Sequence, residues 1–115
     1  MAPSLTDRLD HILNAIQSIE GIIAKHSRTD IANDMILRMA FERLFEIVCE
    51  ATRHIPAEIR QREPEIDWRG IIDLGNVLRH AYDGIDTTRL LKDAREDLPP
   101  LKAFVERILA EESKP

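Results

Sequence analysis

The chain has 115 residues, 43% of them apolar and 32% charged, and carries a formal net charge of −5. That length supports one apolar core rather than two, so a single domain over residues 1–115 is expected. An acidic surface is a poor attractor of phosphate backbones, which excludes indiscriminate nucleic-acid binding and leaves only a local patch for any RNA contact.

The five aromatic residues and the Leu/Ile-rich segments favour helices, since a sheet protein draws on more aromatic and β-branched side chains. From Leu5 to Ile23 the apolar positions Leu5, Leu9, Ile12, Ile16, Ile19 and Ile23 alternate steps of four and three, the pattern of one helix face. Ser4 or Thr6 can cap that helix. His11 and His26 fall outside the stripe and read as solvated surface residues without a function.

Ser27 and Asp30 supply cap chemistry for a second long helix that is expected to run through about Arg53 and to pack antiparallel against the first. Its predicted stripe is Leu37, Phe41, Leu44, Val48, Ala51 and Ile55, widened by Ile36, Ala40 and Ile47. Glu42, Glu46 and Glu50 lie four apart and read as a solvated face. Cys49 is the lone cysteine, which excludes an internal disulfide and a cysteine-rich metal site and marks it as a small core residue.

Pro56 and Pro64 break the pattern, with room for a short helix over 56–61. Trp68 then reads as a core anchor beside Ile66, Ile71 and Ile72. The segment Asp73 to Asp86 is the densest in chemistry, with Asn76, Arg79, His80 and Tyr82 within about two turns of helix. That helix is expected to close at Asp83-Gly84. Asp86 caps a short helix carrying Leu90, Leu91 and Ala94, and Pro99-Pro100 restarts the chain into a last helix with Leu101, Phe104, Val105, Ile108 and Leu109 on one side.

No glycine-rich phosphate loop and no zinc-ligand spacing are present, so neither a metal nor a cofactor is expected. No run approaches the roughly 18 apolar residues of a membrane span, and no basic-then-apolar leader opens the chain, so the expectation is a cytoplasmic protein without a membrane contact.

Four blocks, in order, carry a family resemblance: residues 43–51 (Arg43 to Ala51), residues 64–72 (Pro64 to Ile72), Asn76-x-x-x-His80-x-Tyr82 followed by Gly84-Ile85-Asp86, and Glu96-Asp97-Leu98-Pro99. With these the chain resembles the HepT-like proteins of the HEPN superfamily from Leu5 to Leu109. The resemblance implies an all-α, up-and-down bundle of four or five helices that forms a homodimer with a shared cleft. It implies one half of a toxin–antitoxin pair, a metal-independent endoribonuclease acting on RNA, with a minimal nucleotidyltransferase as antitoxin partner. His80, Arg79 and Asn76 are then the candidate catalytic residues and Tyr82 the residue that the partner adenylylates. Arg43, Glu46 and Arg69 are candidates to line the cleft.

The family signature begins with arginine immediately before Asn76, and this chain has Gly75 there. Two readings follow. In one, Arg79 reaches back into the space that Gly75 leaves and the chain remains a nuclease. In the other, catalysis is lost and the domain is an interaction module that binds a nucleotidyltransferase partner, a nucleotide or RNA. A purely structural helical adaptor fits the composition but leaves the four blocks unexplained.

Overall fold

A computed structural model describes residues 2–81 and 83–113. Among the described residues the chain forms seven helices and no strand: α1 (Leu5–Lys25), α2 (Arg28–Asn33), α3 (Met35–Arg53), α4 (Ala57–Arg60), α5 (Trp68–Arg79), α6 (Thr87–Glu96) and α7 (Leu98–Glu112). The all-α class expected from composition and from the family resemblance is what the chain adopts.

Reciprocal caps start the first two helices. The Ser4 hydroxyl accepts from Asp7 N–H while the Asp7 carboxylate accepts from Ser4 N–H, and Ser27 and Asp30 repeat the arrangement at α2, all at 3.1 Å. The long second helix expected from Ser27 to Arg53 is instead two helices, broken at Asp34. Asp34 Oδ1 accepts the Leu37 N–H at 3.1 Å, the proton that an unbroken helix would give to the Asn33 carbonyl. The same residue closes α2 through its own N–H to Asp30 O at 3.1 Å.

α3 is the central element, packed against α1, α2, α5 and α6, while α1 also packs on α7. The stripe read along α1 holds, with Leu9, Ile12, Ile16 and Ile19 buried. Along α3 most of the expected stripe is buried, Phe41, Val48 and Ala51 with Ile55 just beyond the helix, and Phe45, Cys49 and Thr52 join it, whereas Ile36 is 79% exposed and Ala40 faces solvent. The cause is that α3 is sandwiched, with α1 on one side and α5 on the other, so its core stripe follows the neighbours it has on both sides. Phe41 and Phe45 meet edge-on with ring centroids 5.2 Å apart. Each such ring removed from water contributes about 1.5–3 kcal/mol.

Trp68 is buried as expected. Its indole N–H donates to the Glu63 carbonyl at 2.9 Å and its ring stands edge-on to Phe104 at 5.1 Å, which ties the start of α5 to α7. Asp86 caps α6 by accepting from Thr88 N–H at 2.9 Å, and Asp97 joins α6 to α7, whose first turn holds the prolines.

Candidate functional site

The site is organised by the last turn of α5. Asp67 starts this helix by accepting the Gly70 N–H at 3.0 Å, and Ile71, Leu74, Gly75 and Leu78 form its buried side. Arg69, Asp73, Asn76, Val77 and His80 follow the exposed side at helical spacing. The helix ends earlier than expected, at Arg79, with His80 as the closing residue and its N–H returned to the Val77 and Leu78 carbonyls. Gly84, at φ 87°, serves the following loop rather than the helix end. Across from it Glu42 Oε2 accepts the Ile85 N–H at 3.1 Å, so α3 fixes the loop that leaves His80. Tyr82 lies outside the described residues.

Gly75 does not leave an open space. A Cβ built on it would stand 2.8 Å from Cys49 Cβ, closer than real carbons approach, so α5 and α3 meet here backbone to side chain. Arg79 accordingly does not reach back over Gly75. Its guanidinium donates to Glu50 Oε2 on α3 at 2.9 Å and to Asn76 Oδ1 one turn earlier.

Glu50 is the hub. Its other oxygen, Oε1, accepts from Arg53 at 2.7 Å and lies 3.2 Å from His54 Nε2. These partners, Arg53 foremost, hold the Glu50 carboxyl down at about 2.

Arg79 and Glu50 open onto a shallow groove of about 220 Å³ between α1 and α3. Ile47 and Ala51 contribute its apolar part, and Arg43 and Glu46 line it as an ion pair at 3.0 Å. The opposite wall comes from α1, through Arg8 and His11.

The fold thus gathers Arg79, Arg43 and Glu46 of the sequence candidates and adds Glu50, Arg8 and His11. Arg69 is not among them: its side chain is 93% exposed and 3.8 Å from Asp73, on the outer side of α5. His80 is exposed and follows Arg79 directly. His11 and Glu50 escaped the sequence reading because each looks like solvated surface on its own helix. The docking of α1 and α5 on α3 gives them their neighbours across the groove. The one signal available beforehand was the even spacing of Glu42, Glu46 and Glu50.

Comparison with known proteins decides the family. The model of the ribonuclease HepT-like family matches residues 12–108. The chain belongs to the HepT-like family. It is 35% identical to a protein named "Probable ribonuclease HepT" from Thermococcus cleftensis, over 94% of this chain and 98% of that one. A Methanocaldococcus jannaschii protein whose name proposes an RNase is 38% identical over 67% of this chain and 71% of its own. A third, from Caldanaerobacter subterraneus subsp. tengcongensis and named in the same way, is 29% identical over 90% and 93%. No solved structure matches the chain. Within this HepT-like chain, no described helix is long and apolar enough to cross a membrane.

Proposed function

We propose that this HepT-like chain is a metal-independent endoribonuclease in which His80 is the acid–base group and Arg79 takes the place of the signature arginine. The observation that carries the reading is the anchoring of Arg79. Glu50 and Asn76 both accept from its guanidinium, and this fixes a cation one residue from His80 at the rim of a groove. A flexible arginine loses less entropy on meeting a phosphate when it is already held.

In the proposed reaction the His80 imidazole takes the proton of a ribose 2′-OH as that oxygen attacks the adjacent phosphorus. Arg79 steadies the charge that develops on the phosphorane. The P–O5′ bond breaks, the leaving oxygen takes a proton from His80 of the partner subunit, and the products carry a 2′,3′-cyclic phosphate and a 5′-OH. The reading therefore includes a homodimer. It also includes a toxin–antitoxin pairing in which a minimal nucleotidyltransferase adenylylates Tyr82 and so silences the nuclease, in the cytoplasm.

The test is cleavage of RNA in EDTA by the parent, His80→Ala and Arg79→Ala proteins, with the product ends identified. Both variants are expected to lose cleavage by at least about a hundredfold, the usual scale of an acid–base group or an oxyanion stabiliser. Cleavage retained in His80→Ala refutes the reading.

A second reading, an inactive binding module, is favoured by Gly75. Because Cys49 Cβ occupies the space beside it, the signature arginine has no room at this position. Binding of a nucleotidyltransferase partner by a parent protein that does not cleave RNA would support it.

A further inference from the structure

We infer that the α1 wall of the groove, Arg8 and His11, is a binding subsite for a second phosphate of a single-stranded RNA, next to the one that Arg79 addresses. The inference rests on the ribonuclease reading for the identity of the ligand but not for the geometry.

Arg8 and His11 are three residues apart on α1, so they share one face, and both line the groove that Arg79 enters. The four groups on this rim are not equivalent. Arg43 is neutralised by Glu46 at 3.0 Å and Arg79 by Glu50 at 2.9 Å, whereas neither Arg8 nor His11 meets a carboxylate among the described residues. Arg8 Nε is enclosed and without an acceptor among the described residues, as is Arg38 Nε, so any phosphate contact from Arg8 would come from its terminal guanidinium nitrogens. Three guanidiniums against two carboxylates leave this groove positive on a chain whose net charge is −5. This groove is therefore the candidate for the local patch that a phosphate backbone requires, with its arginines on three helices and the unpaired one on α1.

Arginines on opposite walls of one groove, Arg43 and Arg79 paired and Arg8 unpaired, can each meet a different phosphate. That arrangement suits consecutive phosphodiesters of a chain better than a lone nucleotide. The Ile47 and Ala51 surface between them is apolar, as a contact for ribose or base requires.

The test is equilibrium binding of an RNA oligonucleotide carrying 2′-O-methyl groups throughout, which removes the nucleophile and separates binding from cleavage. Parent, Arg8→Ala, His11→Ala, Arg8→Lys and Arg28→Ala proteins are compared at two salt concentrations. Arg28 begins α2, at the other end of a helix about 30 Å long, and controls for bulk charge. Affinity is expected to fall about tenfold in Arg8→Ala and severalfold in His11→Ala, to be largely kept in Arg8→Lys, and to stay within about twofold in Arg28→Ala. The slope of log affinity against log salt should flatten by about 0.7 in Arg8→Ala, the single-strand value for one lost phosphate contact.

Absence of binding, equal losses in Arg8→Ala and Arg28→Ala, or AMP binding as tightly as the oligonucleotide overturns the subsite. Binding that depends on Arg8 in a parent protein unable to cleave unmodified RNA keeps the subsite and refutes the ribonuclease reading alone.

Discussion

Arg79 of α5 donates to Glu50 of α3 at 2.9 Å across 29 positions of sequence, and this pair joins the motif helix to the centre of the bundle. Glu50 is 40% exposed, so the pair adds little to stability, and its consequence is the placement of a guanidinium. Glu50→Gln should leave the fold intact and lower RNA cleavage by about tenfold, the loss of one oriented charge contact at about 1.4 kcal/mol. Cleavage assays beside a far-ultraviolet circular dichroism spectrum check it.

The same carboxylate makes a small contribution to stability that depends on acidity. Its folded value, about 2, lies below the ordinary 4.5, so the ionised form favours the folded chain at neutral pH. This contribution is complete above about 4.5 and is lost as the pH falls through about 2. The difference in Tm between parent and Glu50→Gln should therefore be constant from pH 7 to 5 and shrink towards pH 2.

Gly75 provides a test of packing. In an open helix Gly→Ala adds about 1 kcal/mol of stability. Here the added carbon would meet Cys49 Cβ at 2.8 Å, so Gly75→Ala should destabilise by about 1–3 kcal/mol instead. In a Cys49→Gly background, itself less stable than the parent, Gly75→Ala should cost little, whereas in a Cys49→Ala background, which keeps the offending carbon, it should cost about as much as in the parent. Urea midpoints for the double-mutant cycle decide it.

The Cys49 thiol is pushed up to about 12, chiefly by burial and then by Asp93, Glu46 and Glu50. At pH 8 its thiolate fraction is about a thousandfold below that of a free thiol with the ordinary value of 9.0. Ellman's reagent should leave the native protein unlabelled over minutes and titrate one thiol at once in guanidinium chloride. Rapid labelling of the native protein would contradict the packing of α3 on α5.

Gly84 and Glu42 fix the loop after His80. Gly84 stands at φ 87°, with Glu42 Oε2 3.2 Å from where a Cβ would lie. Gly84→Ala should cost about 1 kcal/mol or more from the backbone alone. Glu42→Ala should free the Ile85 N–H and lower cleavage without a comparable change in Tm.

Much of the fold was legible in spacing. Leu9, Ile12, Ile16 and Ile19 announce a helix face because α1 has one principal buried side, and the serine–aspartate caps announce where helices begin. Most of the α3 stripe is legible too, but a helix covered on both flanks buries more than one stripe, so Phe45, Cys49 and Thr52 join the core while Ile36 and Ala40 face solvent. The break at Asp34 depends on one side-chain oxygen winning the Leu37 N–H, a local contest that periodicity does not register. At the site, the segment from Asn76 to His80 was recognisable from its residue types. The groove was not, because it exists only as a relation between Arg8, Glu50 and Arg79, whose helices are far apart in the chain.

That separation bears on when the groove comes into being. Its arginines lie at positions 8, 43 and 79, on three different helices, and the carboxylate that orients the last is on the middle one. A nascent chain halted anywhere before Arg79 has emerged carries the first two without the third, and one in which α5 has come undone loses the link to Glu50. The assembled charge cluster therefore depends on α5 being made and docked, and a chain halted before it presents only part of the cluster.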